Sequence, residues 1–136
     1  MKLTIEMFMS PAPYTIGIDL PLARAREMMQ MHHVRHLPVL EGGRLVGIVS
    51  DRDLAFIENL KDVDPKEVSV EEAMSSAVYT VTPDTPLREI ATAMASHKYG
   101  SAVVMRDGQV AGIFTTIDAC ATLLRLLNER DGEGLG

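Results

Sequence analysis

The sequence predicts an α+β fold made of two tandem β-α-β-β-α repeats packed together with pseudo-two-fold symmetry. Three observations predict it. The chain aligns with itself, without a gap, at an offset of 65 residues. Each copy carries two apolar runs flanking a Gly-containing connection. Each copy also closes on a similar polar cluster, GIVSDRD at 47–53 and GIFTTID at 112–118.

Self-similarity at a fixed period is the mark of a repeat architecture. Met9-Ser10 falls on Met74-Ser75, Tyr14-Thr15 on Tyr79-Thr80, Asp19 on Asp84, and Pro21-Leu22 on Pro86-Leu87. Met29, His32, Val39, Gly43, Gly47-Ile48 and Asp53 meet Met94, His97, Val104, Gly108, Gly112-Ile113 and Asp118. About sixteen identities over some fifty aligned positions mark a tandem duplication. A repeat of roughly 60 residues buries too little surface to be stable alone, so the copies are expected to pack face to face and share a core. The boundaries read as repeat 1 at 1–60, a polar Pro-containing linker at 61–69, repeat 2 at 70–128, and a frayed tail without periodicity at 129–136.

Each element has a local reason. Tyr14 to Ile18 and Val78 to Thr82 read as short strands. Asp19 and Asp84, just before Pro21 and Pro86, read as helix caps with Pro near the first turn. Leu22, Ala25, Met28 or Met29, and Leu87, Ile90, Met94 lie at spacings that give one apolar helical face. Leu37 to Leu40, Glu41-Gly42-Gly43 and Arg44 to Val49 read as a β-hairpin. Ala102 to Met105, Arg106-Asp107-Gly108 and Gln109 to Phe114 repeat it. The closing helices begin at Ser50 and Thr115.

Composition excludes some functions. The chain has 136 residues, a net charge of −6 and no run of Lys or Arg, so nucleic acid and anionic membrane have no electrostatic driver. The start MKLTIEMFMS does not read as a signal peptide. No stretch approaches the roughly 18 apolar residues of a membrane span. Cys120 is the one cysteine and sits in an apolar helical stretch. A buried structural thiol and a cytoplasmic protein are expected.

GIVSDRD has two physical readings. Ser50 and Thr115 fall where a strand hands over to a helix, and a helix N-terminus offers free N–H groups to a phosphate. Gly47 and Gly112 allow a ligand or a neighbouring backbone to approach closely. Asp53 and Asp118 lie in the first helical turn, where a carboxylate can accept two hydrogen bonds from a ribose diol. Ser-x-x-Asp is equally a variant of the capping box, in which both residues satisfy backbone donors only.

With these residues in view, the chain resembles the tandem cystathionine β-synthase (CBS) domain pair, or Bateman module, in its stand-alone form. The resemblance covers residues 5 to 127. It is carried by Met-Ser at 9–10 and 74–75, the Thr-Ile and Thr-Val strands before Asp and Pro, HLPVLEGGRLVGIVSDRDL (36–54) and GSAVVMRDGQVAGIFTTID (100–118). It implies an adenosine-containing ligand (AMP, ADP, ATP or S-adenosylmethionine) in the cleft between the repeats. By resemblance, Asp53 and Asp118 hold ribose hydroxyls, and Ser50 and Thr115 touch ribose or phosphate. The resemblance also implies that Thr15 and Ile16, Thr80 and Val81, His36-Leu37-Pro38 and Ser101-Ala102 line the adenine pockets.

The copies differ. Asp51 and Arg52 stand where the second copy has Thr116 and Ile117, and Arg35 and His36 where it has Gly100 and Ser101. Arg52 can pair with a phosphate bidentately and Ile117 cannot, so two unequal sites are expected. His32, His33 and His36 do not converge as a tetrahedral zinc set would. The methionines of the helix regions are read as core and interface packing. Leu54, Phe56, Ile57, Leu60 and Leu123, Leu124, Leu126, Leu127 exceed what one small core needs, which points to a homodimer. No nucleophile, base or paired carboxylates fall at catalytic spacing, so no enzyme, cofactor or metal is expected. The expected function is a regulatory sensor of adenine nucleotides that signals to a separate partner. The alternatives are a structural module with vestigial sites and an S-adenosylmethionine sensor.

Overall fold

The computed structural model describes residues 2–135. A 3-10 turn at Ile5–Met7 leads into β1 (Ser10–Pro11) and β2 (Ile16–Gly17). Then come α1 (Leu22–His32), β3 (His36–Glu41), β4 (Arg44–Ser50) and α2 (Asp51–Glu58). The order recurs as a 3-10 turn at Val70–Glu72, β5 (Thr80–Val81), α3 (Leu87–His97), β6 (Ser101–Arg106), β7 (Gln109–Thr115) and α4 (Thr116–Leu135).

The chain forms two compact units. One holds Pro13–Val78 with Asp107–Val110, the other Met1–Ala12, Tyr79–Arg106 and Ala111–Gly136. Each unit therefore contains the core of one repeat and the leading segment of the other. In the first, the Leu22 N–H donates to the Val68 carbonyl at 2.8 Å, and the Val70 N–H to the Leu20 carbonyl at 2.8 Å. Val70 is fully buried among Ile16, Leu22, Leu37, Val39, Val49 and Leu54. In the second, the Leu87 N–H donates to the Leu3 carbonyl and the Ile5 N–H to the Thr85 carbonyl, both at 2.9 Å. Ile5 is fully buried among Val81, Ile90, Met94, Ala102, Val104 and Phe114.

This exchange corrects the expected caps. The N-cap residues are Pro21 and Pro86, both extended and without a side-chain cap bond. The first orphan N–H of each helix, on Leu22 or Leu87, is satisfied by the carbonyl of the exchanged segment. Asp84 instead accepts the Thr82 hydroxyl at 2.6 Å, which holds its carboxyl below the usual carboxylate range. Both helices end on a left-handed residue, His33 (φ 55°) and Lys98 (φ 58°), at matching places of the repeat.

One sheet runs β2-β3-β4 and the other β1-β7-β6-β5. β2 and β5 are two-residue strands, shorter than the five-residue runs expected, and lie parallel to β3 and β6. Gly42 (φ 57°) and Gly43 (φ 80°) turn the β3–β4 hairpin, as two positive φ values in a two-residue loop allow. Residues 129–135, read from the sequence as tail, continue α4, because extending an existing helix carries no nucleation cost. Gly136 lies outside the described residues.

Cys120 is exposed, which corrects the buried thiol. On α4 the buried residue is Thr122, and Cys120 lies off that face together with Leu123, Leu124 and Leu127. Met29 and Met94 are core residues, whereas Met7 and Met31 are exposed. Among the described residues, no helix is long and apolar enough to cross a membrane.

Candidate functional site

Both Ser/Thr-x-x-Asp clusters form capping boxes. In the first repeat the Asp53 N–H donates to Ser50 Oγ at 3.1 Å, and the Ser50 N–H returns to Asp53 Oδ2 at 2.9 Å. In the second, the Asp118 N–H donates to Thr115 Oγ1 at 3.3 Å and the Thr115 N–H to Asp118 Oδ2 at 2.9 Å. The Thr115 hydroxyl also reaches Asp118 Oδ2, at 3.1 Å. Capping uses one oxygen of each carboxylate and leaves the other to be spent elsewhere.

That second oxygen differs between the boxes. Asp118 Oδ1 accepts the Ser10 hydroxyl at 3.1 Å. Asp53 Oδ1 takes no hydrogen bond among the described residues. Both Asp side chains are half-buried, within reach of solvent and hence of a ligand. Sequence marks Ser10 only as part of the matched Met-Ser pairs at 9–10 and 74–75; its place at Asp118 comes from the tertiary structure.

The strand ladder assembles the rest of the first cluster. His36 lies directly opposite Ser50, Leu37 opposite Val49 and Pro38 opposite Ile48. Ile16 pairs with Val39, so Thr15 stands beside Pro38 at the start of β2. Ile16, Leu37 and Pro38 are buried, so they can offer a ligand backbone atoms but no free side-chain surface. Thr15 and Ile16 also line an open recess of about 420 Å³ with Asp19 and the hairpin turn residues Leu40 to Gly43. Ser50 and His36 do not line that recess.

In the second unit, Thr80 pairs with Val103, and the Val103 N–H donates to the Tyr79 carbonyl at 2.9 Å. Thr80 is exposed and Ser101 half-buried, whereas Val81 and Ala102 belong to the core. Tyr79 stacks on Tyr99 at 4.8 Å and His97 on Tyr99 at 5.1 Å. In the first unit Tyr14 stacks on His32 at 3.6 Å. His32 and His97 thus both lie against an aromatic ring, but on partners that do not match across the repeat, Tyr14 and Tyr99.

Charge is concentrated on the first cluster. Arg52 is exposed in the first turn of α2 and makes no ion pair among the described residues. Arg26 on α1 grips Glu58 with two nitrogens, at 2.7 and 3.1 Å, and Asp51 with a third at 2.5 Å. The Arg26 hydrogen bond holds the Asp51 carboxyl below the usual carboxylate range, with the charges of Arg35 and His36 acting in the same direction. The second repeat has Ala91, Thr116 and Leu123 at the matching places, so this brace exists once.

Both glycines have a structural reason. A β-carbon at Gly47 would meet Met74 and the Ser75 carbonyl, and one at Gly112 would meet Met9. The close approach expected of a ligand or a backbone is made here by the exchanged segment.

Residues 5–58 and 70–125 match the CBS domain. Inosine-5′-monophosphate dehydrogenase of Korarchaeum cryptofilum is 31% identical over 130 residues, covering 95% of this chain and 26% of the relative. The chain thus spans about a quarter of that relative's length. Among solved structures, a candidate acetoin utilization protein (AcuB) from Vibrio cholerae superposes with a TM-score of 0.85 at 28% identity, covering 97% of this chain and 98% of that one. The CBS domain pair of protein MJ0100, in complex with 5′-methylthioadenosine and S-adenosyl-L-methionine, has a TM-score of 0.81 at 25% identity, covering 96% and 99%. CBSX2 in complex with AMP has a TM-score of 0.76 at 26% identity, covering 90% and 97%. With both repeats matched, the chain belongs to the CBS domain family and is a tandem pair of such domains.

Proposed function

We propose that the chain is a regulatory module that binds an adenosine-containing ligand (AMP, ADP or ATP) and passes its occupancy to a separate protein. The observation that carries this reading is Asp53. Its Oδ2 is fixed by the Ser50 N–H, while Oδ1 takes no hydrogen bond among the described residues, and the half-buried side chain sits at a helix N-terminus. A carboxylate so oriented accepts a ribose hydroxyl with no rearrangement. Arg52 and the first-turn N–H groups of α2 supply positive charge beside it for a phosphate. The AMP-bound and S-adenosyl-L-methionine-bound relatives support the adenosine moiety.

Ligand can act only through unequal affinity for two states of the module. The exposed Phe56 and Leu60, and Ile117, Leu123, Leu124 and Leu127 on α4, support a second copy of the chain as the surface through which such a change is transmitted. A second reading, an S-adenosylmethionine sensor, is favoured by the second repeat, where Thr116 and Ile117 offer no cation to a phosphate. A purely structural module with vestigial sites would bind neither.

The test is the melting temperature with AMP, ADP, ATP or S-adenosylmethionine, repeated on Asp53→Ala and Asp118→Ala. A ligand at about 100 times its Kd stabilises by about 2.7 kcal/mol, a shift of several degrees. A wild type that no ligand shifts overturns the sensing function. Arg52→Ala separates the two ligands, weakening AMP and leaving S-adenosylmethionine unchanged.

A further inference from the structure

The two half-buried carboxylates do not wait in the same state. Asp118 has both oxygens engaged, Oδ2 by Thr115 and Oδ1 by the Ser10 hydroxyl at 3.1 Å. Asp53 has one engaged, Oδ2 by the Ser50 N–H.

Ser10 and Ser75 hold the same place in their repeats and the same place on the strand edge. Ser10 pairs with Ile113, and Ser75 exchanges both backbone hydrogen bonds with Ile48 at 2.9 Å. Their hydroxyls part because the N–H of the alanine two residues on, Ala77 or Ala12, goes to a different partner. After Ser75 the chain turns, and the Ala77 N–H comes back to Ser75 Oγ at 3.3 Å, holding that oxygen over its own turn. After Ser10, Pro11 continues β1 and pairs with Gly112. The Ala12 N–H is taken by the Ala111 carbonyl at 3.0 Å and does not return to Ser10, whose hydroxyl turns to Asp118.

We propose that Ser10 is a resident occupant of the Asp118 carboxylate, so that the two sites fill in order: Asp53 first, and Asp118 only after the Ser10 hydroxyl is displaced. This rests on the adenosine reading given above and adds the residue that makes the sites unequal. A hydroxyl bonded to an ionised acceptor is a direct competitor of a ribose hydroxyl for the same oxygen. Among the described residues Asp53 Oδ1 meets no such competitor. Because Ser10 is part of β1, filling the second site also breaks a contact that anchors the leading segment, which couples occupancy to that segment.

Calorimetric titration of the full chain with AMP tests the order. Wild type should show one tight site, abolished by Asp53→Ala, and a second, weaker one. Ser10→Ala should strengthen the weaker site about tenfold, the scale of one hydrogen bond to a charged group. Asp118→Ala added to Ser10→Ala should remove that gain. Ser10→Thr keeps the hydroxyl and should leave the second site weak, which separates competition from loss of fold. The proposal is overturned if Ser10→Ala leaves the second site unchanged, if wild type fills both sites equally, or if Asp118→Ala rather than Asp53→Ala removes the tight site. If AMP binds no variant at all, the adenosine reading fails first and this one with it.

Discussion

Gly47 on β4 and Met74 of the exchanged segment are in direct contact: a β-carbon on Gly47 would stand 2.5 Å from the Met74 sulfur and 2.9 Å from the Ser75 carbonyl oxygen. At Gly112 the three nearest atoms all belong to the flexible Met9 side chain. A thioether can swing aside, and a hydrogen-bonded backbone carbonyl cannot. Gly47→Ala should therefore cost about 1–3 kcal/mol, the usual range for overpacking, and Gly112→Ala distinctly less. Urea unfolding of the two variants checks the order; equal losses would contradict it.

The leading segments supply a buried residue to each core. Ile5→Ala should cost about 2–5 kcal/mol, the range for deleting a buried aliphatic side chain, and Val70→Ala should fall toward the low end. The damage should be local. Hydrogen exchange should quicken in α3 and β6 for Ile5→Ala, and in α1 and β3 for Val70→Ala.

Ser50 caps α2 by both backbone and side chain. Ser50→Ala should destabilise by about 1 kcal/mol, and Ser50→Gly by only a few tenths, since Gly is tolerated at an N-cap. Thermal denaturation without ligand measures this apart from any effect on binding.

The Arg26 brace predicts a pH dependence. Asp51 has its folded pKa lowered below 3.8 by the Arg26 hydrogen bond. Its contribution is present above that value and is lost as pH falls through the folded pKa. The Asp51 side chain is 47% exposed, so solvent screening keeps the effect small. Arg26→Ala should cost about 1–2 kcal/mol at neutral pH and flatten the acid limb below pH 3.8, with Glu58 left unpaired. Denaturation midpoints from pH 7 downward provide the check.

The exposed leucines of α4 predict association. Leu124→Asp should weaken self-association by on the order of tenfold or more, while the melting temperature of the monomer stays close to wild type, because the side chain is 59% exposed in the isolated fold. Sedimentation over a concentration series reads both species; a wild type that is monomeric throughout would remove the dimer.

Much of the fold was legible in the sequence. The duplication showed as aligned identities, the hairpins as apolar runs around Gly42-Gly43 and Asp107-Gly108, and the capping boxes as a hydroxyl three residues before an Asp. Asp19 and Asp84 misled because a cap is one way to satisfy a helix's first N–H, and a backbone carbonyl from elsewhere does it as well. Cys120 misled because α4 is apolar on more than one side, so periodicity did not say which side faces the core. Arg26 was invisible because its partners Asp51 and Glu58 lie 25 and 32 residues away.

Sequence alone determined the repeat, the order of elements, the two Ser/Thr–Asp boxes and the single Arg52. These are short-range properties, written in propensity, period and spacing. Tertiary structure decided which leading segment enters which core, and which carboxylate oxygen stays open. Ile5 and Val70 are both β-branched aliphatic residues at matching places, so side-chain type alone does not set their destinations. The Ser10–Asp118 hydrogen bond spans 108 residues and depends on the Ala12 N–H going to the Ala111 carbonyl, a partner it finds only when the edge pairs with β7.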